Sequence, residues 1–418
     1  MKLPNKKLVE LYGLDNLSEQ QQRYRDLISA YSEYFRTPQS LQFVSAPGRT
    51  ELGGNHTDHN HGKVLCAAVS RDSVAVIEPR SDNLVKLKSS AFPQLYEIDL
   101  SELDPKNEEK GSTDALIRGM AAGLKTKGSK TGGFNAVVHS NVRIGSGLSS
   151  SASFEVLIGG IFNALYNGCS VDPVTLAKIG QYAENVYFDK PCGLMDQLAC
   201  AVGGVLTIDF EDNENPTVEK VPMDFSQTEY ILAVVDTGGS HADLTPAYAS
   251  IPNEMKQVAS LFGKSTLREV EEKTFRANLS RVRVDAGDRA VLRALHYFAE
   301  NHRVAMMVKA LKAGEFDTYL RLVDESGASS SSMLQNVVPQ GSSGNDQPAA
   351  LAIGASNDFF RSRNRGVSRI HGGGFAGTIQ SYIYKPHFKD YVQQMTAIFG
   401  DGCVQALSIR MQGVTAIY

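Results

Sequence analysis

Apolar residues at Tyr24, Leu27, Ile28, Tyr31 and Tyr34 recur every three or four positions in an otherwise polar stretch. That period predicts an amphipathic helix over about Leu17–Phe35. The period then drops to two at Leu41–Ala46, a strand expected to stop at Pro47-Gly48. Val64–Val69, Ser73–Ile77 and Leu84–Leu87 read as further strands, Asp114–Lys125 as a helix, and Gly133–His139 as a strand. A Gly/Ser turn at Gly145–Ser151 leads into an apolar helix ending near Tyr166-Asn167-Gly168. A helix over Pro173–Val186 and a strand over Val202–Ile208 follow. Tyr230–Asp236 opens a second block of strands and helices, which places a domain boundary near 210–225 and divides the chain into 1–215 and 216–418.

Composition narrows the classes. A chain of 418 residues is long for one core, so two domains are expected. The net charge of -4 carries no basic footprint for nucleic acid. The five cysteines are scattered and show no metal spacing, as in a reduced, cytoplasmic protein. Met1–Lys7 lacks the apolar core of a signal peptide, and no run reaches the roughly 18 apolar residues of a membrane span. No repeat of fixed period is visible. Ser326–Gly344, rich in Ser and Gly, reads as a flexible surface loop; the other reading is a loop that orders over an active site.

Three segments concentrate chemistry. The first, Ala46–Gly62, displays Arg49, Asn55, His56 and Asp58 around a glycine-rich turn, a polar pocket suited to a polyhydroxylated ligand. Its triplet His56, His59 and His61 also invites a metal reading, but the spacing matches no standard zinc signature. The second, Arg143–Ser153, contains Gly145, Ser146, Gly147, Leu148, Ser149, Ser150 and Ser151. It lacks the lysine of the Gly-x4-Gly-Lys-Ser/Thr loop and the spacing of the dinucleotide fingerprint. Glycines that admit close backbone approach, with serines capping a helix start, nevertheless describe an anion site. An ordinary helix N-cap looks the same when taken alone. The third, Arg369–Gly377, is a glycine turn running into a strand at Thr378–Ile383, which can be purely structural.

In this order the three segments resemble the signature motifs of the superfamily of galactokinase, homoserine kinase, mevalonate kinase and phosphomevalonate kinase. The first is similar to galactokinase in particular, whose usual text is Gly-Arg-Val-Asn-Leu-Ile-Gly-Glu-His-Thr-Asp-Tyr-Asn. Ala183-Glu184-Asn185 and Cys192-Gly193-Leu194-Met195-Asp196-Gln197 match a further run of that branch. The resemblance extends from about residue 17 to the C-terminus. It implies a two-domain α+β fold with the active site in the interdomain cleft. It also implies an ATP-dependent sugar kinase making a sugar 1-phosphate from a galactose-type pyranose.

On that pattern Gly145–Ser151 would hold the ATP phosphates, and Ser151 with Glu184 would hold Mg²⁺. Asp196 would be the catalytic carboxylate paired with Arg49. His56, Asp58, the Gly193 backbone and Tyr248 would bind the sugar, with Asn55 beside its C6. A carboxylate can accept the hydroxyl proton, and a neighbouring cation keeps it ionised. The sequence departs from the family at Thr50-Glu51, where Val-Asn is usual, and at Asn55, where glutamate is usual. Asparagine can donate hydrogen bonds and removes a charge. Weaker discrimination at C6 is therefore expected, unless Glu51 swings in and restores the missing carboxylate; galacturonate is the alternative substrate and a sugar sensor without turnover is a reading of another class. Partners are expected to be ATP and the sugar, with no nucleic acid and no membrane. Oligomeric state is not readable.

Overall fold

The structure, a computed structural model, describes residues 3–36, 42–143, 145–239, 244–339, 345–375 and 377–418. Leu41, Ile144, Ala376 and 340–344, all within stretches read above, lie outside them. Strands in chain order are β1 (Gln42–Gly53), β2 (Lys63–Pro79), β3 (Leu84–Ser89), β4 (Leu95–Asp99), β5 (Phe134–Ser140), β6 (Val205–Asp209) and β7 (Thr217–Val221). They continue with β8 (Tyr230–Asp236), β9 (Val367–Ile370), β10 (Thr378–Tyr384), β11 (Val404–Leu407) and β12 (Thr415–Ile417). The larger sheet has the order β12-β1-β2-β5-β3-β4, with β6 added to the first half of β2 and β7 to β6. The smaller sheet, β11-β8-β10-β9, is antiparallel throughout.

Two strand readings change. Pro47-Gly48 does not stop β1: a register shift between Pro47 and Arg49 absorbs it, and the strand runs on to Gly53. A bulge tolerates a proline that has no N–H to donate. Val64–Val69 and Ser73–Ile77 are one strand, β2, whose two halves pair with different neighbours, β6 and then β5. The 215/216 division falls inside the β6–β7 hairpin, and β12 returns to pair with β1, so the larger sheet draws on both halves of the sequence.

The main core packs this sheet against the helices Thr113–Thr126, Ser150–Tyr166, Pro173–Tyr182 and Met195–Val202. A second core joins the sheets, with Leu52, Leu65 and Ala67 meeting Val234 and Tyr382 through the helices Asp288–Lys312 and Phe316–Ser329. Each large apolar side chain buried there contributes about 1.5–3 kcal/mol. The two sheets are thus fixed to one another across the residues that follow Arg49.

The helix expected over Pro173–Val186 is α-helical to Tyr182 and then widens into a π-turn, Ala183–Tyr187. Such turns are frequent at functional sites, and this one carries Glu184. The Ser/Gly-rich stretch is not a surface loop as far as residue 339. Ser326–Ser329 completes the helix Phe316–Ser329, and Ser330–Leu334 forms a second π-turn. Ser326, Ser329 and Ser330 are buried because their hydroxyls are bonded: Ser326 donates to Glu300 (2.7 Å) and Ser329 meets His296 (2.8 Å). The absence of a side chain at Gly327 lets this helix lie against β9, since a Cβ there would stand 3.0 Å from that of Arg369.

At the far side of the larger sheet, Asp72 of β2 is fully buried. It accepts hydrogen bonds from Arg23 (2.6 Å), Tyr12 (2.6 Å), Arg410 (3.0 Å) and Ser45. One carboxylate thereby ties the N-terminal helices, β1, β2 and the C-terminal arm together. Among the described residues no helix is long and apolar enough to cross a membrane.

Candidate active site

Arg49 projects from β1 onto Asp196, in the first turn of the helix Met195–Val202. Nε and Nη2 donate to the two carboxylate oxygens at 2.6 Å each, a bidentate ion pair. Arg49 Nη1 donates to the carbonyl of Gly147, and Ser149 Oγ donates to Asp196 Oδ2 at 2.7 Å. Burial alone would raise the Asp196 pKa. The Arg49 charge and its hydrogen bonds, with that of Ser149, instead hold it below the usual carboxylate range. Asp196 is therefore ionised at neutral pH, at the foot of the glycine-serine loop.

That loop is tightly turned. Gly145 (φ 79°) and Gly147 (φ 72°) take left-handed conformations, as does Ser149 (φ 58°). Leu148 anchors it to β1 by accepting the Arg49 N–H at 3.0 Å. Ser149 occupies the N-cap position of the helix Ser150–Tyr166 but its hydroxyl is spent on Asp196, so the expected side-chain cap is absent. The N–H groups of the first helical turn, at Ser150 and Ser151, have no carbonyl partner within their own helix. Ser146 bonds Arg143 O at 2.6 Å, within the turn.

Glu184 on the π-turn is buried, accepting from Gln197 Nε2 (3.0 Å) and paired with Lys190 (3.3 Å). The same Gln197 nitrogen donates to Glu155 at 3.0 Å. Glu155, not singled out from sequence, is fully buried, and its Oε1 has no hydrogen-bond partner among the described residues. Burial and the adjacent Glu184 charge push its pKa well up. Glu155 lies four residues after Ser151 on one helix, hence on the same face; that spacing was the signal available in the sequence.

The residues assigned to the sugar gather around the third motif. Asp58 packs on Gly193 so closely that a Cβ at Gly193 would lie 2.4 Å from its Oδ2. His56 Nε2 meets Gly373 O at 2.8 Å, and Tyr248 OH donates to Gly374 O at 2.8 Å. A carbonyl can only accept, so Nε2 carries the His56 proton. Burial lowers the His56 pKa to about 4, leaving it neutral. No group of three or more His, Cys, Asp or Glu able to hold a metal occurs among the described residues.

The Asn55 amide is engaged within the protein. Asn55 is fully buried, and every polar position of its amide is used. Nδ2 donates to Glu51 (3.1 and 3.2 Å) and Gly372 O (2.6 Å), while Oδ1 accepts from Asn336 (2.7 Å) and Ser330 (3.4 Å). The free donor on which the expectation of weak C6 discrimination rested is absent, and a carboxylate stands beside it. That carboxylate, Glu51, is ion-paired with buried Arg369. Relative to the usual family text, the asparagine and the glutamate have exchanged places between the end of β1 and the turn after it. Arg369, Asn336 and His371, which complete this network, gave no sequence signal beyond their place in or near a motif.

A groove of about 780 Å³ between the helix Leu17–Tyr34 and β5 is lined by none of these residues. Two family patterns match the chain: the GHMP kinases N-terminal domain over residues 115–204 and the galactokinase galactose-binding signature over residues 29–79. The galactokinase of Lacticaseibacillus casei strain BL23 is 30% identical over 309 residues, 73% of this chain and 78% of that one. The galactokinase of Limosilactobacillus reuteri strain DSM 20016 is 27% identical over 90% of this chain and 94% of its own. Lactococcus lactis galactokinase complexed with galactose superposes with a TM-score of 0.79 at 23% identity, covering 94% and 99% of the two chains. Methanococcus jannaschii mevalonate kinase superposes at 0.62 with 15% identity over 89% and 99%. The chain belongs to the galactokinase family of the GHMP kinases, ATP-dependent phosphotransferases acting on a sugar hydroxyl.

Proposed function

We propose that this chain transfers the γ-phosphate of ATP to the anomeric hydroxyl of a galactose-type pyranose, with Asp196 and Arg49 at the reacting centre. The observation that supports this most is the ion pair itself: an ionised carboxylate held by a guanidinium that also grips the carbonyl of the loop proposed for the phosphates. Asp196 orients the hydroxyl and accepts its proton as the bond to phosphorus forms. Arg49 offsets charge on the transferring group. Gly145–Ser151 present backbone N–H groups to the phosphates. His56, Asp58, the Gly193 backbone and Tyr248 supply the donors and acceptors a vicinal diol requires.

Mg²⁺ suits the acidic pocket behind the loop: Glu155 has a buried carboxylate oxygen lacking a partner, beside Glu184 and on the helix of Ser151. Ser151 and Glu184 would hold it, and when bound it would neutralise charge on the nucleotide phosphates. Glu51, within 3.2 Å of the Asn55 amide, puts a carboxylate beside the position where the family carries its glutamate, which supports galactose over galacturonate. A coupled ADP-release assay over galactose, galacturonate, arabinose, talose and 2-deoxygalactose tests this reading. Turnover strongest on galactose supports it; sugar binding without turnover would leave the sensor reading standing.

A further inference from the structure

We propose that His371 is a positioning residue that couples the sugar-side pocket to the phosphate loop through the glycine turn it begins. The proposal rests on the assignments above, of Gly145–Ser151 to the nucleotide and of His56 and Tyr248 to the sugar.

Three successive carbonyls of the turn hold three side chains of that pocket. Gly372 O receives Asn55 (2.6 Å), Gly373 O receives His56 (2.8 Å) and Gly374 O receives Tyr248 (2.8 Å). Two of those donors are the groups proposed to meet sugar hydroxyls. A sugar that takes them over must replace the carbonyls, and the turn must move or reorient. Immediately before the turn, the buried His371 bridges Thr50 Oγ1 (3.0 Å, through Nε2) and Thr378 Oγ1 (3.2 Å, through Nδ1).

A neutral imidazole has one donor and one acceptor. Gln380 Nε2 donates to Thr50 Oγ1 at 2.7 Å. The assignment that uses every proton runs Gln380 to Thr50, Thr50 to His371 Nε2, and His371 Nδ1 to Thr378. Burial and the nearby charges of Arg49 and Arg369 keep the ring neutral, as this chain of bonds requires. Its far end leaves no slack against the phosphate loop. A Cβ on Gly147 would lie 2.3 Å from Thr378 Oγ1 and 2.7 Å from His371 Nδ1. Gly147 in turn carries the carbonyl gripped by Arg49. A shift of the turn therefore reaches the loop and the Arg49–Asp196 pair through His371, and a nucleotide on the loop reaches the turn by the same route. Close packing transmits such displacements rather than absorbing them. The consequence is that nucleotide and sugar each favour the state the other needs, which restrains ATP hydrolysis when no sugar is bound.

Calorimetry with D-galactose and the magnesium salt of a non-hydrolysable ATP analogue, each alone and in the presence of the other, measures the coupling. In the wild type the two affinities are expected to rise by one common factor, about 5–150-fold, since coupling is reciprocal. In His371→Ala and in Thr378→Val the factor should fall to about twofold or less, with each affinity measured alone changing by about threefold at most. Thr378→Ser, which keeps the hydroxyl, should retain the coupling. Hydrogen exchange of residues 372–375 provides a readout independent of the sugar: the analogue alone should alter it in the wild type and not in either uncoupled variant. Full coupling in folded His371→Ala and Thr378→Val, or a wild-type turn indifferent to nucleotide, overturns the inference. Galactose failing to bind any of the proteins while the analogue still shifts the turn would instead sink the substrate reading and leave the nucleotide arm of the inference intact.

Discussion

Asp196 owes its ionisation to two neighbours rather than to solvent, and that shapes what its loss should do. A carboxylate with a lowered pKa is a weak base before reaction, so in the role proposed for it Asp196 would mainly point the hydroxyl and take the proton late. Asp196→Asn keeps the shape, and turnover should drop by about 10²–10⁴-fold. Affinity for a non-hydrolysable ATP analogue should hold within about threefold; near-normal kcat would remove Asp196 from the chemistry. His56 gives a different signature. Its pKa of about 4 in the fold lies below the ordinary value of 6.5, so between those pH values the unfolded chain binds more protons. Stability from this group is therefore present above pH 6.5 and lost as pH falls toward 4, on the order of 3 kcal/mol in all. Denaturant titrations of wild type and His56→Gln across that range should show the gap between them change by that order; a constant gap would mean that His56 titrates normally.

At the scale of elements, the phosphate loop and the π-turn each carry a prediction. Gly147→Val places a branched side chain where Thr378 and His371 already stand, in a left-handed conformation that valine avoids. ATP-analogue binding should be lost while the far-ultraviolet circular dichroism stays that of the folded chain; retained binding would return the loop to the role of a plain helix start. Glu184→Gln should raise the Mg²⁺ concentration needed for analogue binding by on the order of tenfold or more, and an unchanged titration would exclude Glu184. Most of these elements were legible in the sequence because amphipathic period and glycine punctuation are local properties. What escaped it was set at a distance. The single long β2 exists because β5 and β6 both find an edge on it. The buried serines of the helix Phe316–Ser329 look like linker until Glu300 and His296 meet them. Nothing in the segment of Asn55 shows that Asn336, Ser330 and Gly372 bond its amide.

For the molecule as a whole, the buried Asp72 cluster is the joint to test. Asp72→Ala leaves Arg23 and Arg410 without their shared carboxylate, a change expected to cost about 3–5 kcal/mol. Burial acts to raise the pKa of this group, but the two arginines and the hydrogen bonds from Ser45 and Tyr12 prevail and lower it. Its stabilisation is thus full above the unfolded value of about 3.9 and lost as pH falls through the lower folded value. A shallower acid-side loss of stability in Asp72→Ala than in wild type is the expected outcome, read by chemical denaturation. Equal acid sensitivity would mean other carboxylates dominate.

The pairing of β12 with β1 has a consequence in time. Among the described residues β1 is the first strand in chain order and β12 the last, with Phe43 opposite Ile417. At synthesis rates of about 5–20 residues per second, the outer edge of β1 waits roughly 20–75 s for its partner. Throughout that interval a strand that carries Arg49 offers unpaired backbone groups to any other strand nearby. Removing residues 413–418 would make that exposure permanent. Such a truncated chain should emerge from synthesis aggregated unless a peptide of the sequence 413–418 is supplied, and recovery of soluble protein on adding that peptide is the result to look for.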